Sequence, residues 1–173
     1  IIGAKTLTDV YLHLNKEKVL PATKPQTKAT PPSYSIDFGD IHGQEQAKRA
    51  LIIAAAGGHN ILFDGPPGAG KTMLAKALVS ILPAPTYDER IAITKLHSLV
   101  GEANENIMPE APFRSPHHTA SRASLIGGGT KPSPGEASLA HCGVLFLDEL
   151  PEYPRSSLEA LRQPLEDREV HVS

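Results

Sequence analysis

The sequence predicts an α/β fold with a mainly parallel sheet flanked by helices. Short apolar runs alternate with segments whose apolar residues recur at helical spacing, which is the order of elements that builds such a fold. Residues 60–64 and 144–147 are interpreted as buried strands. A glycine-rich turn follows the first of these strands, and two acidic residues follow the second.

The N-terminal part predicts one helix and a linker. Four apolar residues recur at i, i+3, i+4 and i+7: Leu7, Val10, Tyr11 and Leu14. Residues 21–35 are rich in proline, threonine and lysine, and we expect them to be an extended linker. The chain begins with Ile1, so we expect a piece of a longer protein, in which residues 1–20 end a preceding domain and residues 36–173 belong to the next.

Helices are predicted on both sides of the first strand. The alanine-rich run from residue 44 to 56 precedes the pair Gly57-Gly58, which is typical of a left-handed helix end. A second helix covers residues 73–82 and stops at Pro83. Three later helix starts are predicted from the capping-box pattern S/T-x-x-E, in which Thr86, Ser133 and Ser156 are paired with Glu89, Glu136 and Glu159.

Residues 65–72 fit the phosphate-binding pattern G-x-x-x-x-G-K-[ST] between the first strand and a helix. The loop consists of Gly65, Pro66, Pro67, Gly68, Ala69, Gly70, Lys71 and Thr72. Its glycines let backbone amides approach an anion, while Lys71 reaches the β- and γ-phosphates of ATP and Thr72 takes one position around Mg²⁺. The alternative is a strand-to-helix turn without a ligand.

The second predicted strand leads directly into Asp148 and Glu149. In phosphate-loop enzymes, an acid at such a strand end holds Mg²⁺, usually through water. In the hydrolytic subset, an adjacent acid positions or deprotonates the attacking water. The pattern therefore predicts Asp148 as the magnesium residue, with Glu149 and Lys71 as the catalytic residues. The alternative is that two acids end a hydrophobic strand by entering solvent.

Composition restricts the class of protein. With 173 residues and 40% hydrophobic content, the chain suits one domain of ordinary core size with an appendage. The net charge of −2, without a long run of either sign, gives no electrostatic footprint for nucleic acid or an anionic membrane. Cys142 is the single cysteine of the sequence, which favours a reducing, cytoplasmic compartment. No apolar run approaches transmembrane length.

Two adjacent pairs of possible metal ligands do not match a zinc site. His117-His118 and His141-Cys142 are adjacent pairs, and neighbours on an extended segment point to opposite faces. No four-ligand set with zinc spacing appears in the sequence. We expect His117 and His118 to lie near the nucleotide or a neighbouring subunit.

Five segments resemble the magnesium-chelatase-like AAA+ ATPases, most closely the bacterial competence-protein (ComM, YifB) type: residues 36–44, 54–60, 65–72, 112–119 and 139–151. The resemblance implies a phosphate-loop NTPase fold of the AAA+ type, ATP with Mg²⁺, and a homo-oligomeric, hexameric ring. It also implies that Ile41 and His42 line the adenine pocket. Residues 1–20 would then end a Lon-protease-like domain.

The resemblance further implies that DNA is the substrate, in helicase-type branch migration during recombination of incoming DNA. Two alternatives stay open: a chelatase motor that drives Mg²⁺ insertion into porphyrin, and a non-hydrolysing nucleotide-binding module for interaction. In this family, the sensor residues and the arginine finger follow the acidic strand, beyond residue 173, so the domain is expected to be incomplete at the C-terminus. Alone, we expect this piece to bind ATP weakly and to hydrolyse it negligibly.

Overall fold

The computed structural model describes residues 2–22, 34–103, 107–129, 132–167 and 169–170. The chain divides into two compact units, residues 1–30 and 31–173, and each is described by itself. The predicted linker at 21–35 lies mostly outside the described residues. Within the described part, no helix is long and apolar enough to cross a membrane.

The first unit contains helix α1 (Leu7–Leu14), where the apolar spacing predicts it. The Thr6 side chain caps this helix by accepting a hydrogen bond from the Asp9 backbone N–H at 3.1 Å. Lys18 donates to the carboxylate of Asp9 at 2.9 Å. No residue of α1 is buried. That residues 1–20 end a preceding domain stays a prediction.

The second unit contains the remaining helices and strands. In chain order these are α2 (Glu45–Gly57), α3 (Lys71–Ile81), α4 (Tyr87–Leu99), β1 (Phe113–Arg114), α5 (Arg122–Ile126), β2 (Gly127–Gly128), β3 (Ser133–Pro134), α6 (Glu136–Leu139), β4 (Val144–Leu145), α7 (Arg155–Ala160) and α8 (Arg162–Asp167). Short 3₁₀ helices lie at Phe38–Asp40 and Leu150–Glu152. Strands β1 and β4 pair in parallel, and β2 and β3 form an antiparallel pair.

Backbone hydrogen bonds fix the β1–β4 pair. The Val144 N–H donates to the Pro112 carbonyl at 2.8 Å, and the Phe146 N–H donates to the Arg114 carbonyl at 2.8 Å. Gly143 permits this approach, because a Cβ at that position would collide with the Pro112 carbonyl. Since parallel strands end at the same edge of a sheet, the segments that follow β1 and β4 emerge side by side.

The prediction of a buried strand at residues 60–64 is wrong for the described structure. This segment is extended, but no strand is assigned to it among the described residues. Ile61 and Phe63 pack against the core, whereas Leu62 is 76% exposed. Leu62 is exposed because an extended backbone turns only every second side chain toward the core.

One core cluster lies beneath the glycine-rich loop. It consists of Ile41, Leu51, Ala55, Leu74, Ala77 and Leu78. These residues come from α2, α3 and the segment before α2. Their apolar faces are buried against one another, which fixes the direction in which α3 leaves the loop.

Of the three predicted capping boxes, only the first is confirmed. The Thr86 side chain accepts from the Glu89 N–H, and the Glu89 carboxylate accepts from the Thr86 N–H. Ser133 lies instead in β3, because pairing with β2 takes its backbone into a strand. Ser156 lies inside α7, which begins after Pro154.

The core beneath the loop gives a stability prediction. Leu51 is completely buried, whereas its neighbour Ile52 on the same helix is 53% exposed. We expect Leu51→Ala to lower the free energy of unfolding by about 2–5 kcal/mol through lost burial and a residual cavity. Ile52→Ala is the matched control, with an expected loss of about 1 kcal/mol or less. Urea denaturation followed by circular dichroism measures both, and equal losses would contradict this assignment of the core.

Candidate functional site

The conformation of the glycine-rich loop depends on two left-handed residues. Gly68 has φ 79° and Gly70 has φ 83°, values that residues with a Cβ rarely adopt. A Cβ at Gly68 would meet no atom within 4 Å, so the backbone conformation rather than space calls for glycine there. Gly70 is the N-cap of α3, whose first backbone N–H groups have no partner within the helix. An anion at this helix start would satisfy them.

Lys71 is the first residue of α3 and folds back over the loop. Its ammonium group donates to the Gly65 carbonyl at 2.7 Å and to the Pro66 carbonyl at 3.0 Å. These two hydrogen bonds keep a compact positive charge at the loop, where it can attract phosphate oxygens. The structure thus directs the ammonium group of Lys71 back to the start of its own loop.

Thr72 and Asp148 meet although they lie far apart in the sequence. The Thr72 hydroxyl donates to Oδ2 of Asp148 at 3.2 Å. The other carboxylate oxygen of Asp148 accepts the Glu149 backbone N–H at 3.0 Å, which fixes the orientation of the carboxylate. The contact joins the start of α3 to the turn that follows β4.

These two side chains fit a magnesium ion. Mg²⁺ prefers oxygen ligands at about 2.1 Å in an octahedron, so ligands in adjacent positions lie about 3 Å apart. The hydrogen bond of 3.2 Å places one hydroxyl and one carboxylate oxygen side by side, and these are donor groups that Mg²⁺ accepts directly or through a water. Within the described residues, no group of three or more His, Cys, Asp or Glu side chains is placed to hold a metal.

Glu149 has an unusual backbone conformation. Its φ of 52° and ψ of 46° lie in the left-handed region, which costs a residue with a side chain about 1–2 kcal/mol. Such strain is concentrated at functional sites. The side chain of Glu149 is 64% exposed, and its Oε2 lies 3.1 Å from Nδ1 of His118.

The segment that carries His118 is held at several points. The buried Tyr153 donates its hydroxyl to the Pro116 carbonyl at 2.6 Å, and burial raises the pKa of this tyrosine. The rings of His117 and His118 pack with centroids 4.1 Å apart. Nδ1 of His117 lies 2.9 Å from the Thr119 hydroxyl. The hydrogen bond of Tyr153 was not predicted from the sequence. Its acceptor is a backbone carbonyl, which every residue carries, so no residue type marks the partner.

The predicted adenine-pocket residues point in different directions. The side chain of Ile41 is 2% exposed and belongs to the core cluster, whereas His42 is exposed. Gln44, which the sequence reasoning missed, donates its side-chain amide to the Ala69 carbonyl at 3.3 Å. This hydrogen bond joins the segment before α2 to the phosphate loop. That Ile41 and His42 line an adenine pocket stays a prediction.

Arg114 is engaged in a structural ion-pair network. Its guanidinium donates to both carboxylate oxygens of Glu136, at 2.6 and 2.9 Å, and to Glu102 at 2.8 Å. The hydrogen bonds to Glu136 raise the pKa of Arg114. Glu102 also lies 3.1 Å from Nδ1 of the buried His97. The network ties the end of β1 to α6 and α4.

Comparison with known proteins agrees with this geometry. The profile of the family described as magnesium chelatase, subunit ChlI, matches residues 37–173. The competence protein ComM of Haemophilus influenzae is 53% identical over 98% of this chain and 34% of its own length. The uncharacterized protein YifB of Escherichia coli is 48% identical over 98% of the chain and 34% of its own length. The chain therefore spans about a third of the length of these relatives.

A solved structure shares the fold. The crystal structure of NtrX from Brucella abortus in complex with ADP superimposes with a TM-score of 0.52 at 21% identity. The match covers 76% of this chain and 29% of NtrX. Together with the family profile, it shows an α/β phosphate-loop fold of the AAA+ type, as the sequence predicts.

The support from Tyr153 gives a testable prediction. We expect Tyr153→Phe to lower the free energy of unfolding by about 1 kcal/mol, because the Pro116 carbonyl loses its hydroxyl donor. The matched control is Tyr87→Phe, since the tyrosine at 87 is 65% exposed. Thermal denaturation of both variants measures the difference. Equal stability of the two would mean that the hydrogen bond contributes nothing.

Proposed function

The chain belongs to the magnesium chelatase ChlI-subunit family, and from that premise we propose that it is the ATP-binding part of a motor ATPase. The observation that supports this most directly is the 3.2 Å contact between Thr72 of the phosphate loop and Asp148 of the acidic turn. It joins a candidate phosphate site to a candidate metal site. Glu149 follows at once and supplies a candidate base.

Each residue has a defined task in this proposal. The loop amides and Lys71 bind the phosphates of ATP, while the oxygens of Thr72 and Asp148 would hold the metal, directly or through a water. When bound, Mg²⁺ neutralises charge on the β- and γ-phosphate oxygens. Glu149 orients the attacking water and accepts its proton. The protein thus contributes placement and charge rather than a covalent step.

For the polymer on which the motor acts, we propose DNA, in helicase-type branch migration during recombination of incoming DNA. The support is the 53% identity to a protein named for competence. We further propose that the complete protein acts in the cytoplasm as a homo-oligomeric, hexameric ring. The net charge of −2 gives this chain no broad electrostatic attraction for DNA, so contacts to DNA would come from local groups.

A second candidate is a chelatase motor that drives Mg²⁺ insertion into porphyrin. The family description favours it, because the matching profile is that of a magnesium chelatase subunit. A third candidate is a non-hydrolysing nucleotide-binding module for interaction. All three need the same phosphate loop, so the nucleotide site alone does not distinguish the substrates.

Two substitutions in the full-length protein test the proposed ATPase activity. We expect Lys71→Ala to weaken ATP binding strongly, and Glu149→Gln to lower kcat by roughly 10²–10⁴ while ATP stays bound. Phosphate release and fluorescent-nucleotide titration measure the two effects. Glu152→Gln is the matched control, since this exposed carboxylate lies just beyond the site and its loss should leave kcat unchanged. An unmodified protein that binds ATP without hydrolysing it would support the interaction module instead.

The substrate is tested by stimulation of the same ATPase. We expect the rate to rise with four-way DNA, and less with duplex or single-stranded DNA, because a branch-migration motor is coupled to its junction. Porphyrin together with chelatase partner subunits should leave the rate unchanged. The reverse pattern would favour the chelatase motor, and Glu149→Gln serves as the background control in every reaction.

A further inference from the structure

Gln44 connects the segment before α2 to the phosphate loop. Its side-chain amide nitrogen lies 3.3 Å from the Ala69 carbonyl oxygen. Because a carbonyl oxygen can only accept a hydrogen bond, the amide nitrogen must face it and donate. This hydrogen bond joins residues 25 positions apart, and its acceptor lies immediately before Gly70, the N-cap of α3.

The start of α2 does not explain why residue 44 is a glutamine. Gln44 is the N-cap of this helix, but its side chain makes no capping hydrogen bond. Asn, Asp, Ser and Thr are the residue types preferred at that position. The backbone of Gln44 also lies in the left-handed region, with φ 57° and ψ 36°, which is unfavourable for a residue with a Cβ. Strain of this kind is concentrated at functional sites, so it directs attention to what the side chain contacts.

We propose that Gln44 is a positioning residue, which holds the peptide unit between Ala69 and Gly70 in the orientation that binds phosphate. The inference rests on the proposed ATP-binding function and deepens it. The Ala69–Gly70 peptide bond is trans, so its carbonyl and its N–H point in opposite directions. A hydrogen bond that draws the Ala69 carbonyl toward Gln44 therefore turns the Gly70 N–H to the other side, which we assign to the phosphates.

Gly70 does not fix this orientation by itself. Its φ is 83°, and glycine adopts positive and negative φ about equally, so its peptide unit can rotate at little cost. Among the residues that the structure describes, the Gly70 N–H has no hydrogen-bond partner, which leaves it available to a phosphate oxygen. A donor that is held in place before the ligand arrives reduces the ordering cost of binding.

The fold holds Gln44 itself in place. The Gln44 carbonyl accepts the Lys48 N–H at 2.9 Å, a hydrogen bond of the first turn of α2. Ile41, three residues earlier, and Leu51, two turns later, are buried in the core cluster beneath the loop. Leu74 of α3 belongs to the same cluster, so the segment that carries the donor and the helix that follows the loop pack together.

The first test is nucleotide binding by the full-length protein, measured by titration with fluorescent ADP and by competition with ATP. Gln44→Met keeps an unbranched side chain of similar length, but it removes the N–H donor without adding charge. We expect the Kd for ADP and for ATP to rise about fivefold, as for the loss of one hydrogen bond. The kcat at saturating ATP should stay within about twofold, because Asp148 and Glu149 are unchanged.

Gln46→Met is the matched control. Gln46 is an exposed glutamine of the same helix, two residues further along the chain, so the same chemical change is made away from the loop. It should leave the Kd for ADP unchanged. An unchanged Kd in Gln44→Met, or an equal rise in Gln46→Met, would overturn the proposal.

Inorganic pyrophosphate separates an effect on the loop from a contact with adenine. It carries phosphates but no base, so an effect on the loop should raise its inhibition constant against fluorescent ADP by the same factor as the Kd for ADP. A weaker ADP affinity in Gln44→Met with an unchanged pyrophosphate constant would place the contact at the base and contradict the positioning role.

Gln44→Gly separates binding from folding. Glycine adopts the left-handed backbone without steric cost, but it carries no amide side chain. We expect a melting temperature at or above that of the unmodified protein, together with the same rise in the Kd for ADP as in Gln44→Met. If Gln44→Met is unfolded, the glycine variant decides. Unaltered affinity in Gln44→Gly contradicts only the positioning role, whereas an unmodified protein that does not bind ATP contradicts the proposed function itself.

Discussion

The parallel pairing of β1 with β4 is the constraint on which the arrangement of the site depends. Two backbone hydrogen bonds of 2.8 Å fix the register, and the absence of a side chain at Gly143 allows the strands to come this close. A slip of one residue would turn the side chains of β4 to the opposite face and move the acidic turn along the edge. The contact of Asp148 with Thr72 then joins this edge to the phosphate loop.

Local features of the fold could be predicted from the sequence, because they depend on residues a few positions apart. The glycine-rich loop, the start of α4 at the Thr86 capping box and the left-handed end of α2 at Gly58 all belong to this class. The capping boxes assigned to Ser133 and Ser156 failed for the opposite reason. Distant strand pairing and packing decide those backbones, and a four-residue pattern carries no information about either.

The candidate site also has a part that the sequence pattern predicts and a part that it does not. The pattern identifies Lys71, Thr72, Asp148 and Glu149 by residue type, and the structure brings the last three into one chain of contacts. The orientation of Ile41 into the core and the contact of His118 with Glu149 depend on how segments distant in the sequence pack. Spacing alone therefore reveals which groups are present, while the neighbours that orient them become visible only in three dimensions.

Under the proposed role of Glu149 as the base, its left-handed backbone sets stability and activity against each other at one position. Glycine there would adopt the same conformation without steric cost, so a variant lacking the carboxylate can gain resistance to heat while it loses hydrolysis. Comparison of melting temperatures for Glu149→Gly and Glu149→Gln separates relief of the backbone from loss of charge. Laboratory selection for thermotolerance alone would therefore drift toward inactive proteins unless turnover were selected at the same time.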